Sequence, residues 1–165
     1  MTTKKLEFEA EIAEGRVVRG GEDWIIFNLE GFRAVLSGIW EVFGSGTYTI
    51  LLMAGQHMGR RLAKYLERKD FKSEMALVEG FVGFITETGW GKAVAENATS
   101  RGLTVKVYNY ALYRGAKGRW RSCALIKGVI LGFFSTLWGK ASCLETRCIL
   151  DEDECCEFKV EKERT

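Results

Sequence analysis

The five cysteines of this chain stand at positions 123, 143, 148, 155 and 156, inside the run CALIKGVILGFFSTLWGKASCLETRCILDEDECC. Thiols gathered in this way serve one of three ends: metal ligation, redox exchange, or burial as small apolar side chains. No CxxC pair is present, so spacing alone favours plain burial. A nucleophilic cysteine is disfavoured further, because the single histidine, His57, belongs to a separate helical segment with no evident orienting partner.

The elements that carry these cysteines sharpen the choice. Residues 141–150 read as a strand with Leu144, Cys148 and Leu150 on its buried face, and 155–161 as a second strand with Cys156, Phe158 and Val160 inward. Cys155, Glu157 and Lys159 then point outward. The acidic turn DEDE joins the two, so Cys148 and Cys156 can lie opposite each other. A helix predicted over about 120–138 would carry Cys123 onto the same face. Three soft thiolates at one point suit zinc, which takes four ligands in tetrahedral geometry. The fourth ligand is open between Glu145, Cys143 and Cys155. Glu145 lies three residues before Cys148, hence on the opposite face of a regular strand, unless a β-bulge or strand end near 146–147 brings it round.

The rest of the chain alternates strand and helix signals. Residues 6–13 alternate apolar and charged, Glu14-Gly15 turns, and 16–20 can pair back. An apolar piece, 23–27, leads to Asn28 as a helix cap. Helical spacing covers 29–43, with Gly44-Ser45-Gly46 as a stop and Thr47 as the next cap, then 48–69, and a third helix from Asp70 to just before Gly89. The runs 92–100 and 102–112 read as a hairpin turning at Ser100-Arg101-Gly102, followed by a basic loop at 113–119. No repeat or linker interrupts this order. Residues 1–165 therefore read as a single α+β domain, an antiparallel sheet packed with about four helices in two or three layers.

Composition bounds the function. Hydrophobic residues make up 47% and charged residues 28%, as in an ordinary globular domain. With 24 basic against 22 acidic residues, the net charge of +2 gives no reason to expect nucleic acid as a direct partner. The run Arg60, Arg61, Lys64, Arg68, Lys69, Lys72 is interspersed with acids and reads as a solvated helix face. No apolar leader segment opens the chain, and the apolar run 123–138 is too short for a membrane span. A cytoplasmic setting, where clustered thiols stay reduced, is the expectation.

Cys123, Gly128, Gly132, Gly139-Lys140, Glu145, Cys148, the acidic turn and Cys156-x-Phe158 together resemble the pattern of the 4-vinyl-reductase (4VR) domain family. That pattern is a cysteine opening an apolar G-x-x-x-G helix, a strand with E-x-x-C, a turn, and C-x-F. Ala54 to Ala63, AGQHMGRRLA, is similar to the family's earlier G-x-x-x-G-R helix. The resemblance implies a small-molecule-binding domain. Relatives sense aromatic hydrocarbons ahead of bacterial transcription activators or accompany chlorophyll-type pigment synthesis. The fold is shared with nitric-oxide sensors and TRAPP vesicle-tethering subunits. It also implies a homodimer and a zinc held by Cys123, Glu145, Cys148 and Cys156, with Cys143 and Cys155 as non-ligands. Four protein ligands close the sphere, so the zinc would be structural.

The function expected on this basis is binding or sensing of an apolar or aromatic molecule. The alternatives are a scaffold or assembly protein, or an accessory factor or reductase of tetrapyrrole pigment synthesis, although no dinucleotide fingerprint or proton relay is evident. His57 and Trp90 are the candidate ligand contacts, since a phenol-like molecule needs a hydrogen-bond partner in an apolar site. Gly128 and Gly132 suit close packing of helix on sheet.

Overall fold

The structure, a computed structural model, describes residues 11–13, 15–19, 21–69, 71–114 and 122–163. The expected strand over 6–10, the residues Glu14 and Asp70, and the loop and helix start over 115–121 lie outside the described residues. Short strands β1 (Glu11–Ala13), β2 (Arg16–Arg19) and β3 (Glu22–Trp24) form an antiparallel three-stranded sheet. After it, the side chain of Asn28 accepts from the amide of Gly31 at 2.7 Å and caps α1 (Leu29–Phe43). Gly44, at φ 51°, ends α1, and a short turn of 3₁₀ helix through Gly46 leads into α2 (Thr47–Glu67). Thr47 does not cap α2 as expected. It is the first residue of the helix, and its hydroxyl donates to the carbonyl of Ile39. The third helix, α3 (Glu74–Glu87), starts later than Asp70 because Ser73 is its cap, accepting from the Ala76 amide.

The larger sheet holds β4 (Lys92–Thr99), β5 (Gly102–Tyr108), β6 (Ala141–Arg147) and β7 (Cys155–Lys162), in the order β4-β5-β7-β6 with every pair antiparallel. Strand β5 stops at Tyr108, short of the expected Leu112. Asn109 turns to positive φ, and Ala111–Tyr113 form a single 3₁₀ turn. One face of the sheet is covered by α4 (Ala124–Trp138), which is apolar on nearly every side and is correspondingly buried. Against it, Leu103, Val105 and Val107 of β5 and Cys156, Phe158 and Val160 of β7 are inaccessible or nearly so, as alternation required.

On its other side α4 meets α2 with backbones almost in contact. A Cβ added at Gly59 would lie 2.0 Å from the Val129 carbonyl oxygen, and one at Gly132 would lie 2.1 Å from that of Gln56. Gly55 and Gly128 oppose each other in the same way. The two G-x-x-x-G steps are thus complementary halves of one helix–helix contact, and the expectation of helix-on-sheet packing for Gly128 and Gly132 is corrected. The α4–α2 pair places Phe133 against Phe81 of α3, their rings stacked at 4.3 Å.

The segment Leu29–Glu67 is long and apolar enough to cross a membrane by length and composition alone. Gly44 breaks it into two helices, and one face of α2 (Leu51, Gly55, Gly59, Leu62, Leu66) is spent on α4 and the core.

Candidate metal centre and the neighbouring cavity

Three elements deliver donor atoms to one end of the α4–sheet interface. Cys123 sits at the N-cap position of α4, directly before the first helical residue. Cys156 lies on the inward face of β7 and is fully buried. Cys148 follows the end of β6, where its amide donates to the carboxylate of Asp153 at 2.9 Å and its carbonyl accepts from the amides of Asp151 and Asp153. The acidic turn is therefore a brace around Cys148.

Glu145 reaches the same point through a register shift. Glu145 pairs with Phe158 but Arg147 pairs with Glu157, leaving Thr146 as the extra residue of a β-bulge. The bulge needed for Glu145 and Cys148 to share a face is present. It also reverses the parity expected for β6: Leu144 is exposed, whereas Cys143 and Glu145 face inward. The reading of Leu144 as part of the buried face is corrected. Cys155 does lie on the sheet face away from α4, as alternation required, paired opposite Tyr108, yet it is only 4% exposed.

The Cys123 sulfur is 3.3 Å from that of Cys148 and 3.2 Å from that of Cys156, and the four donor atoms, Glu145 included, lie within 4.8 Å of one another. Sulfurs bound to one tetrahedral zinc at 2.3 Å would be about 3.8 Å apart, so small outward movements would admit the ion. Glu145 Oε1 is buried without a hydrogen-bond partner, a costly state that a bound cation would relieve. The donor set thus fits a metal ion.

Protons compete for these sulfurs. The hydrogen bond to Cys156, and then burial, push the Cys123 thiol far up, while the same bond holds Cys156 below the ordinary thiol value. Burial pushes Cys148 up to about 12. Metal-free, the cluster keeps most of its protons with Cys156 the first to ionise, and a metal ion must displace them.

Next to this centre lies a cavity of about 740 Å³, within the range of small-molecule sites. Its walls come from Trp24 to Phe32, from Met58, Leu62 and Tyr65 of α2, from Phe84 and Ile85 of α3, and from Trp90 and Tyr110–Leu112. Ile25, Ile26 and Phe27 form one wall in irregular backbone and are 82%, 68% and 60% exposed. Trp90, the expected ligand contact, lines this cavity, packed edge-on against Phe32. His57 does not line it. It is exposed on α2, two residues beyond Gly55 and so about 200° round the helix from the face that meets α4.

Two contributions had no reading in sequence. Buried Arg33 of α1 donates to the carbonyls of Ala111, Leu112 and Arg114, fastening a cavity wall to α1. Tyr110 then stands between cavity and thiols, its ring edge-to-face at 5.0 Å with that of Tyr113, which lies beside Cys123. The string YNYALY carries no spacing that would single them out.

No family profile matches the sequence, and no curated protein matches it. Solved structures do. The phenol-responsive sensory domain of the transcription activator PoxR, solved with phenol, superposes with a TM-score of 0.80 at 15% identity, covering 93% of this chain and 84% of that one. The chain shares the fold of that domain. A vinyl-4-reductase family protein from Methanocaldococcus jannaschii superposes with a TM-score of 0.58 at 15% identity, covering 86% of this chain and 85% of that one. A trafficking protein particle complex subunit 3 from Naegleria fowleri, covalently bound to palmitic acid, gives 0.64 at 15% identity, with 82% and 93% covered. The chain therefore has the α+β architecture read from its sequence, shared with these neighbours.

Proposed function

We propose that this 4VR-like domain binds an apolar or aromatic small molecule in the 740 Å³ cavity and acts as a sensor, with a structural zinc at Cys123, Glu145, Cys148 and Cys156. The observation that carries the reading is the cavity itself, an aromatic-walled space beside an otherwise close-packed core. That the similar PoxR domain was solved with phenol supports it. Trp90 is the lining residue best suited to give a ligand hydroxyl a partner, through its indole N–H. Zinc, once bound, would clasp the start of α4 to the β6–β7 end, and with four protein ligands it has no open position for a reacting water. The reading includes a reducing, cytoplasmic setting, since oxidation would join Cys123 to a neighbouring sulfur and destroy the donor set.

The proposal extends to a homodimer. Val35, Val42 and Phe43 of α1, with Tyr48 and Met53 of α2, are exposed apolar side chains on the two helices that cover the cavity side of the molecule. A second copy of the chain would cover them. Sedimentation should give a dimer that Val42→Asp dissociates; a monomer at all concentrations would remove this part of the reading. The scaffold alternative draws on the same face, and mass spectrometry decides between them. Native spectra of protein taken directly from cells should show a small apolar adduct lost on denaturation. Protein that emerges without adduct, and is not stabilised by phenol or 1-naphthol, would sink the sensor reading.

A further inference from the structure

Two buried hydroxyls stand without partners beside the thiol cluster. Tyr110 is fully buried and Tyr113 is 8% exposed, and among the described residues neither phenolic oxygen makes a hydrogen bond. Burying a hydroxyl unpaired is costly, and two at one place, next to the equally unpartnered Glu145 Oε1, ask for an explanation. The hydroxyl of Tyr113 lies against Cys123, and Tyr110 feels the charges of Cys123, Cys156 and Glu145.

A divalent ion held by three thiolates and a carboxylate leaves the centre doubly negative, in a place where water cannot reach Cys123 or Cys156. Such a centre needs donors around it. Two nearby backbone donors are already committed. The Cys148 amide is given to Asp153 Oδ2, and the Ala124 amide, first in α4, is given to the Ser122 hydroxyl. The amides of Leu150 and Ile149 serve the Cys148 and Cys156 sulfurs, so the tyrosine hydroxyls are the donors that remain for Cys123 and Glu145. We propose that Tyr110 and Tyr113 donate hydrogen bonds to the metal-bound Cys123 sulfur and Glu145 carboxylate from outside the coordination shell, and so are positioning residues of the metal centre. The inference rests on the metal reading. Because Tyr110 also belongs to the cavity wall, it is the side chain at which cavity and metal centre meet.

The test loads purified wild type, Tyr110→Phe, Tyr113→Phe and the control Tyr108→Phe with cobalt(II). Tyr108 lies on the opposite side of the sheet, in register with Cys155. Wild type and control should show the same thiolate-to-cobalt charge-transfer bands. In the two test variants the bands should move to longer wavelength, because a thiolate relieved of a hydrogen bond is easier to oxidise. Extraction of the metal by a chelator should become about 10-fold faster or more. Metal-free, the same variants should be as stable as wild type or more so, since an unpaired buried hydroxyl has been removed without changing the ring. Bands and extraction rates equal to wild type in both variants would overturn the assignment while leaving the metal in place. Wild type without charge-transfer bands would instead overturn the metal reading itself.

Discussion

The α4 side of the molecule and the α1 side are built on opposite terms. Helix α4 buries nine of its fifteen residues and touches α2 backbone to backbone, whereas α1, of equal length, buries only Arg33 and Leu36. The segment before α1 exposes three large apolar side chains in a row, Ile25, Ile26 and Phe27. One half is a fixed frame holding the donor cluster; the other is a loosely covered wall of the cavity. Local opening is cheapest where few apolar contacts must be broken, so a ligand would enter from the α1 side and a bound metal would be retained on the α4 side.

The largest effect that can break this contrast comes from adding one methyl group to each half. Gly59→Ala would drive Cβ into the Val129 carbonyl and should cost about 3 kcal/mol or more, read as a shift in urea midpoint. Gly38→Ala in α1 meets nothing within 4 Å and should stabilise by about 0.5–1 kcal/mol. Equal effects would show that the two helix surfaces are not differently packed.

The donor cluster comes next. Metal analysis should find about one zinc per chain in wild type, and Cys156→Ser should lose it together with the stability it confers. Cys155→Ser should keep the metal. It should still cost about 1 kcal/mol, because Cys155 is 4% exposed and its replacement buries a hydroxyl. Metal loss in both would undo the division between the two faces of β7.

The same contrast explains what could be read from the sequence. Period-two alternation in 155–161 and helical spacing in 29–43 follow from local geometry, and Asn28 announces its cap by residue type, so these were legible. The parity of β6 was not, because the bulge at Thr146 is set by how β6 pairs with β7 and leaves no mark in LETRC. Cys155 looked outward by alternation and does lie on that face. Its burial depends on neighbours that alternation does not see. Tyr110 and Arg33 acquire their places only when a 3₁₀ turn after β5 meets α1, a contact between residues far apart in sequence.

On the open side, Phe27→Ser should change stability by no more than about 0.5 kcal/mol, since the ring is already 60% exposed. It should nonetheless reduce retention of any copurifying apolar molecule, because Phe27 lines the cavity and leans on Phe32 at 6.4 Å. Unchanged retention with lowered stability would place Phe27 in the frame and not in the wall.

The smallest effect concerns Cys143, which faces inward on β6 but is not among the four donors. Burial, reinforced by Glu145 and opposed by Lys127, pushes its thiol from the ordinary 9.0 up to about 12. A pKa raised in the fold stabilises fully while both states hold the proton, below pH 9. The contribution is lost as pH rises from 9 toward 12, because the unfolded chain ionises first. Measured on metal-loaded protein, where the ligand thiols no longer titrate, stability should fall across that window by less than about 1.4 kcal/mol per pH unit for this group. Cys143→Ser should flatten the fall without altering metal content. Residues before Cys123 include no cysteine, so thiol titration in this window belongs entirely to the frame. If the slope is unchanged in Cys143→Ser, the other buried groups held protonated above their ordinary values, Cys155, Tyr110 and Tyr113, carry it instead.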